Sequence, residues 1–511
     1  MLKIIFQADS FFLNAETVNK VLSHGLIVFA LVVCSTAFAQ KDANNLRKTM
    51  YNTAYARFNI NNISTRIENN GSADLNGMNS DFRFPKTTMK AAIYCSGFAW
   101  GGKVNNEVKI GGSLYSSSMS PGKIHNDGTV DDPNSEIARV YRVRRDFKTA
   151  DLSMESIDEA KGIQEIYYQY EKDWNEWPAN YGAPFEDVNN NGIYEPSVDY
   201  PGVTGADQTL WFVANDLDSN ETKRFFNSKP IGIEMRVTVW GYNSEPPLGN
   251  ALFKKYEVIN KSKNNLDSMY FGIWSDPDLG DASDDYVGCD TTLNLGFVYN
   301  ADDYDHTYKS LNTPSIGFCL LQGPIVDGAP ADSAYFKNKI IRGKKNLPMT
   351  AFSYPYKGAG EWGEVTLDSQ LYYYLQGKTR SGNLWPIPDQ FGGGATRFLL
   401  SGDPVSLSGF FDGVQIRAGD RRLMVCTGPF NMATSDTQEV VFMQVAAGAD
   451  GKTDYLSAIN LMKYYTNILT NQYFTPGMKL SSTERVNVKT TVFNGGVLLN
   501  WGEDRTQIDR I

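Results

Sequence analysis

Ile233-Glu-Met-Arg-Val-Thr-Val-Trp240 and Phe253-Lys-Lys-Tyr-Glu-Val-Ile259 decide the fold class, because β-branched and aromatic residues dominate both runs. Arg422-Leu-Met-Val-Cys426 and Glu439-Val-Val-Phe-Met-Gln-Val-Ala446 read as strands for the same reason. So do Ala91-Ala-Ile-Tyr-Cys-Ser-Gly-Phe-Ala-Trp100 and Val140-Tyr-Arg-Val143 nearer the start. An aromatic content of 13%, mostly Tyr and Phe, favours strands throughout. Two helices stand against this background. In residues 156–173, Ile157, Ala160, Ile163, Tyr167 and Tyr170 recur every three or four positions, and Pro178 lies beyond the end. The second helix runs from an N-cap at Asp454 to Phe474, with Leu456, Ile459, Met462, Tyr465 and Leu469 on one face and Pro476-Gly477 as its stop. The expected fold is mainly β, with β-sandwich-like sheets, long Asp- and Gly-rich loops and about two helices. At 511 residues the chain exceeds one ordinary core, so two or more domains or subdomains are expected, with 40–480 a β-rich extracellular region that can hold two subdomains.

The N-terminus sets the compartment. Gly25-Leu-Ile-Val-Phe-Ala-Leu-Val-Val-Cys-Ser-Thr-Ala-Phe-Ala39 is apolar but short for a membrane span. It ends in Ala37-Phe38-Ala39 before Gln40, the small-x-small pattern that a signal peptidase accommodates. Residues 1–39 are therefore expected to be a signal peptide, and the mature protein to be secreted or on the surface of a bacterial cell. The stretch before the apolar run is long and balanced, with Lys3 and Lys20 against Asp9 and Glu16, whereas such a leader is normally short and positive. Translation starting near Val18 would restore that form, and no later segment is long and apolar enough to span a membrane.

The formal net charge is −10, and removing residues 1–39 leaves it unchanged. An acidic chain repels nucleic acid and anionic membrane surfaces and suits extracellular cation binding. Cys95, Cys289, Cys319 and Cys426 remain after cleavage. Their spacing matches neither a disulfide framework nor a metal site, which leaves small buried residues or up to two bridges.

The sharpest local motif is Asp187-Val-Asn-Asn-Asn-Gly-Ile-Tyr-Glu-Pro-Ser-Val-Asp199. Asp187, Asn189 and Asn191 place oxygens at positions 1, 3 and 5 of a calcium loop, and Gly192 permits the turn at position 6. Ile193 would offer its carbonyl, and Glu195 stands at position 9. Position 12 is Val198, so the closing carboxylate comes one residue late, at Asp199. Pro184 and Pro196 exclude a flanking EF-hand helix pair, which leaves a calcium loop of extracellular type. A second candidate is Asp276-Pro-Asp-Leu-Gly-Asp-Ala-Ser-Asp-Asp285, with Asp276, Asp278, Asp281, Asp284 and Asp285 as ligands. From Asn264 to Tyr308 there are ten Asp and no Lys or Arg, and a divalent cation would relieve their repulsion. Asp216 or Asp218 could complete either site. Catalytic constellations are thin: the mature chain has two histidines, His125 and His306, and neither HExxH nor GxSxG. A pair of Asp or Glu side chains for glycoside hydrolysis is the open enzymatic alternative.

Several phrases in combination resemble a known group of proteins. They are Tyr94-Cys-Ser-Gly-Phe-Ala-Trp-Gly-Gly-Lys103, Trp177-Pro with Gly182-Ala-Pro, and the Asp187 loop continuing into Tyr200-Pro-Gly and Gly205-Ala-Asp-Gln. To these belong Trp211-Phe-Val-Ala-Asn-Asp216, Trp274-Ser-Asp-Pro-Asp-Leu-Gly-Asp281, Ser401-Gly-Asp-Pro404, Gly419-Asp-Arg-Arg422 and Gly428-Pro-Phe430. Residues 80–475 thereby resemble the N-terminal region of large secreted bacterial proteins of the type IX secretion kind, which end in a C-terminal sorting domain. The resemblance implies contact with that secretion machinery in the full-length protein and carries no catalytic residues. It also implies a fibronectin type III-like module next. Val486-Asn-Val-Lys-Thr-Thr-Val-Phe493 and Val497-Leu-Leu-Asn-Trp501, joined by Asn494-Gly-Gly496, fit the opening hairpin of one, truncated within 485–511. The expected function is a calcium-stabilised binding or adhesion protein with an extracellular glycan or protein as ligand; the alternative is a secreted polysaccharide hydrolase.

Overall fold

The computed structural model describes residues 51–356 and 360–473, and the backbone of 489–493 and 496–500. The expected signal peptide, residues 1–39, and the tail after Asn500 lie outside the described residues. The main strands, in chain order, are β1 (Cys95–Val104), β2 (Glu107–Ser113), β3 (Tyr141–Arg144), β4 (Gln208–Asn215), β5 (Ile233–Gly241), β6 (Ala251–Asn260) and β7 (Leu266–Asp276). They continue as β8 (Asp285–Asp290), β9 (Leu295–Asn300), β10 (Ser315–Gln322), β11 (Ala351–Ser353), β12 (Leu423–Met432) and β13 (Thr437–Ala447). The larger antiparallel sheet runs β3-β4-β5-β6-β13-β10-β9-β8, and the short strand Ser120–Pro121 also pairs with β4. The smaller sheet runs β11-β12-β7-β1-β2.

The two sheets pack as a sandwich because their inner faces share one apolar cluster. Phe98 of β1 meets Tyr256 of β6 at 5.3 Å between ring centroids, Tyr256 meets Phe271 of β7 at 5.2 Å, and Phe271 reaches Phe442 of β13 at 6.4 Å. β4 and most of β13 are buried along their whole length, since the outer face of the larger sheet is covered as well. There Val441, Met443 and Val445 pack under Ile459, Met462 and Leu469 of the last helix, α5 below. Tyr141, Trp177 and Trp211 form a separate aromatic cover near β3 and β4. Burial of each large aliphatic side chain in these layers contributes about 1.5–3 kcal/mol.

Five α-helices occur among the described residues: α1 (Ser153–Glu159), α2 (Ile163–Asn175), α3 (Ser219–Arg224), α4 (Asp368–Leu375) and α5 (Tyr455–Tyr473). The last matches its sequence reading. Asp454 accepts hydrogen bonds from Ser457 N and Oγ at 2.8 and 2.7 Å, and the predicted stripe faces β10 and β13. The helix expected over 156–173 is instead two. Ala160 turns left-handed at φ 53° and Gly162 is extended, which shifts the phase of the second piece. Ile166, Tyr170 and Trp174 are buried there, while Ile157 and Ile163 face solvent. Cys95, Cys289, Cys319 and Cys426 are all buried and none forms a disulfide. Burial pushes the Cys319 thiol up to about 12 and those of Cys289 and Cys426 higher, so the thiolates needed for exchange are suppressed. No helix of the described residues is long and apolar enough to cross a membrane.

Lys489–Phe493 and Gly496–Asn500 pair as the expected hairpin, with Val492 opposite Val497, and among the described residues they form a two-stranded sheet of their own. An isolated hairpin adds little stability. Deleting residues 482–511 is therefore expected to leave the main thermal unfolding transition within about 2 °C of the parent. A large drop in melting temperature would mean that the hairpin is integral to the main sheets.

Candidate metal centre

Strand register builds the site. β7 and β12 run antiparallel with Ser275 opposite Leu423, so the next residues along, Asp276 and Arg422, meet at the end of the smaller sheet. On its other side Asp276 is paired with Cys95 of β1. Asp278 follows in a turn at φ 41°, and Asp420 precedes Arg422 by two residues. Tyr115, just after β2, is held edge-on against Trp274 at 4.8 Å.

Asp276, Asp278 and Asp420 each offer one carboxylate oxygen, and these atoms lie within 4.8 Å of one another. Among the described residues no other three His, Cys, Asp or Glu side chains come together in this way. The cluster could hold a metal ion: ligands each roughly 2.3–2.6 Å from a calcium ion are separated by comparable distances. Asp276 is 2% exposed, and its Oδ2 accepts from Tyr115 Oη at 2.6 Å and pairs with Arg422 Nη2 at 3.2 Å. Its Oδ1 is buried and accepts no hydrogen bond. Arg422 also pairs with Glu364 at 3.0 Å and with Asp420, and its Nε donates to Tyr115 Oη at 2.7 Å.

Asp276, Glu364 and Asp420 each pair with the Arg422 guanidinium, and Asp278 lies beside Asp276 and Asp420. Burial raises the Asp276 carboxyl well above its ordinary range; Arg422 opposes this, and Asp278 and Asp420 push it further up. Burial would lower Arg422, yet Asp276, Tyr115, Asp420 and Glu364 together hold it above its ordinary value. A divalent cation would offset the repulsion of Asp278 and Asp420 on Asp276 and give the bare Asp276 Oδ1 a partner. The oxygen-only donor set suits a hard cation.

The other predicted ligands fall in three further places. Asp281 turns aside, accepting from Ser283 N at 3.0 Å and lying 3.3 Å from His306 Nδ1. Asp284 and Asp285 stand outside the Asp276 triad. The Asp187 loop is compact and turns on its own polar groups. Asp187 accepts from Asn191 N at 3.1 Å and Gly192 N at 2.7 Å, and Asn191 Oδ1 accepts from Ile193 N at 2.7 Å. Asn189 and Asn191 both donate to Glu195 Oε2, at 2.8 and 2.7 Å. Asp199, almost fully buried, takes Val188 N at 3.0 Å and Glu195 N at 2.8 Å, and so fastens the two ends of the loop together. Asp187, Glu195 and Asp199 do not bring three carboxylate oxygens together as the Asp276 cluster does.

Asp216 and Asp218 complete neither site. Asp216 accepts from the backbone amides of Ile231, Gly232 and Ile233, and Asp218 caps α3 through Asn220 N. Sequence reasoning missed Asp420, Arg422, Tyr115 and Glu364 as members of the centre: the β7–β12 register that brings in Asp420 and Arg422 spans more than 140 residues of chain, and Tyr115 and Glu364 come from two further segments. The histidines occupy separate loops, His125 on Asp131 at 2.9 Å and His306 on Asp281. No protein-family model matches the chain, and no curated protein matches it either.

Proposed function

We propose that this is an exported, calcium-stabilised binding or adhesion protein that presents an extracellular glycan- or protein-binding surface. The observation that carries the calcium part is the Asp276–Asp278–Asp420 cluster, in which three carboxylate oxygens lie within 4.8 Å of one another and the buried Asp276 Oδ1 accepts no hydrogen bond. The Gly25–Ala39 run and the resemblance to secreted type IX proteins support export. The Asp187 loop, with oxygens at positions 1, 3 and 5, supports a calcium site of its own.

Extracellular calcium sites bind near about 0.1–1 mM, and a tenfold excess of free ion stabilises by about 1.4 kcal/mol per site. Chelation is expected to lower the melting temperature, and Asp187→Ala to remove part of that response. An unchanged transition in chelator, with no calcium found by elemental analysis, would remove both assignments. Residues 40–511 screened against glycan and protein panels are expected to bind without releasing reducing ends. Release of reducing ends would favour a polysaccharide hydrolase working through an Asp/Glu pair.

A further inference from the structure

Beside the triad, three side chains share an unusual arrangement. Asp285 opens β8 and lies directly opposite Asn300, the last residue of β9, so both project to the same face of the sheet. Both are fully buried. Asp284 sits next to them: its backbone carbonyl accepts from Ala301 N at 2.9 Å, and its Oδ2 accepts from Asn300 Nδ2 at 3.4 Å. Each side chain is fastened at one end. Asp285 Oδ2 takes Leu279 N at 2.9 Å, and Asn300 Nδ2 also donates to Tyr304 O at 3.3 Å and Thr313 Oγ1 at 3.2 Å. The remaining oxygen of each, Oδ1 of Asp284, of Asp285 and of the Asn300 amide, is buried and accepts no hydrogen bond.

A bare buried oxygen costs free energy, and here three belong to side chains that adjoin one another across the β8–β9 pairing. The neighbouring Asp305 shows the contrast. Its carboxylate takes Asp281 N at 2.8 Å, Thr307 N at 2.7 Å and Tyr308 N at 2.6 Å, and packs where a Cβ on Gly280 would stand 2.4 Å away. Asp305 is thus a brace, and the three bare oxygens are left for something else. The nearby guanidinium of Arg421 is held by Asp412 at 2.9 Å and by the carbonyl of Arg417 at 2.6 Å. Burial, with Asp305, Asp281 and Asp302 adding to it, pushes the Asp284 carboxyl up to about 6.

We propose that Asp284, Asp285 and Asn300 form a second cation seat, separate from the Asp276–Asp278–Asp420 cluster, that takes a hard divalent ion of calcium's size. Two carboxylates and one amide carbonyl are the donor types calcium prefers, and loop carbonyls and water complete such a shell. Asn300 contributes specificity: its amide is oriented by Tyr304 and Thr313 so that only its oxygen is left for the ion. The seat ties the start of β8 to the end of β9 at the edge of the larger sheet, and does not depend on the first cluster being a calcium site.

Counting calcium ions bound per chain, by competition with a chromophoric chelator on residues 40–511, tests this. Asp284→Asn is expected to bind one ion fewer than the parent. Asn300→Leu, which removes the amide oxygen at similar volume, is expected to bind that ion about tenfold more weakly. Asp187→Ala combined with Asp420→Asn leaves all three proposed ligands native and is expected to retain one ion. An undiminished count in Asp284→Asn, or no ion in the double variant, overturns the proposal. Failure of the first cluster reads differently: Asp420→Asn alone would then leave the parent count unchanged.

Discussion

Arg422→Met is expected to destabilise the protein by about 3–5 kcal/mol in the presence of chelator, read from chemical unfolding. The guanidinium is nearly buried and makes ion pairs with Asp276, Glu364 and Asp420. Methionine replaces much of the stem's volume and none of its charge, so the buried Asp276 carboxylate loses its ion pair with Asp278 and Asp420 still close by. The cost comes from that stranded carboxylate more than from the lost pairs themselves. Added calcium is expected to recover part of the loss, because the cation takes over the neutralising role. A variant that loses less than about 1 kcal/mol, with or without calcium, would show that the carboxylates are better solvated than their burial implies.

Asp216→Ala is the second large effect, an expected loss of about 3 kcal/mol or more in equilibrium unfolding. Asp216 is 1% exposed and accepts three backbone amides at 2.7–2.9 Å, from Ile231, Gly232 and Ile233 at the entry to β5. Alanine leaves all three donors buried without an acceptor. Asp216 also gives a pH signature. Burial raises its carboxyl to about 6 against the pull of the amides. A carboxyl raised in the folded state stabilises most below its ordinary value near 3.8, and that contribution is lost as pH rises through about 6. Relative to Asp216→Asn, the parent is therefore expected to lose on the order of 3 kcal/mol between pH 4 and pH 7. A difference between parent and variant that stays flat with pH would show that the amides hold the carboxylate ionised throughout.

Legibility in the sequence followed the range of the interaction. The core strands of the larger sheet could be read from composition: Ile233–Trp240 and Phe253–Ile259 fall within β5 and β6, and Glu439–Ala446 within β13. The α5 helix was legible because its cap and its stripe lie within one stretch of chain. The α1–α2 break was not, since Ala160 carries no mark of the left-handed turn it makes. Asp276 and Asp278 stood out as carboxylates without local cations. What completes their cluster did not, because Asp420 and Arg422 arrive through strand pairing that local composition cannot encode. By charge alone 276–285 reads as a single site. The fold divides it, sending Asp276 and Asp278 toward β12 and Asp284 and Asp285 toward Asn300 on β9.

The central claim is that Asp276, Asp278 and Asp420 hold calcium, and the most direct test compares melting of the parent and of Asp420→Asn in excess chelator and in calcium. Asp420 is partly exposed, so its amide variant is expected to fold. The account predicts that calcium raises the parent's melting temperature by several degrees, an increment of about 1.4 kcal/mol per site at tenfold excess, and raises that of Asp420→Asn by clearly less. An identical calcium-induced shift in both proteins would contradict it, as would a parent whose melting does not respond to calcium.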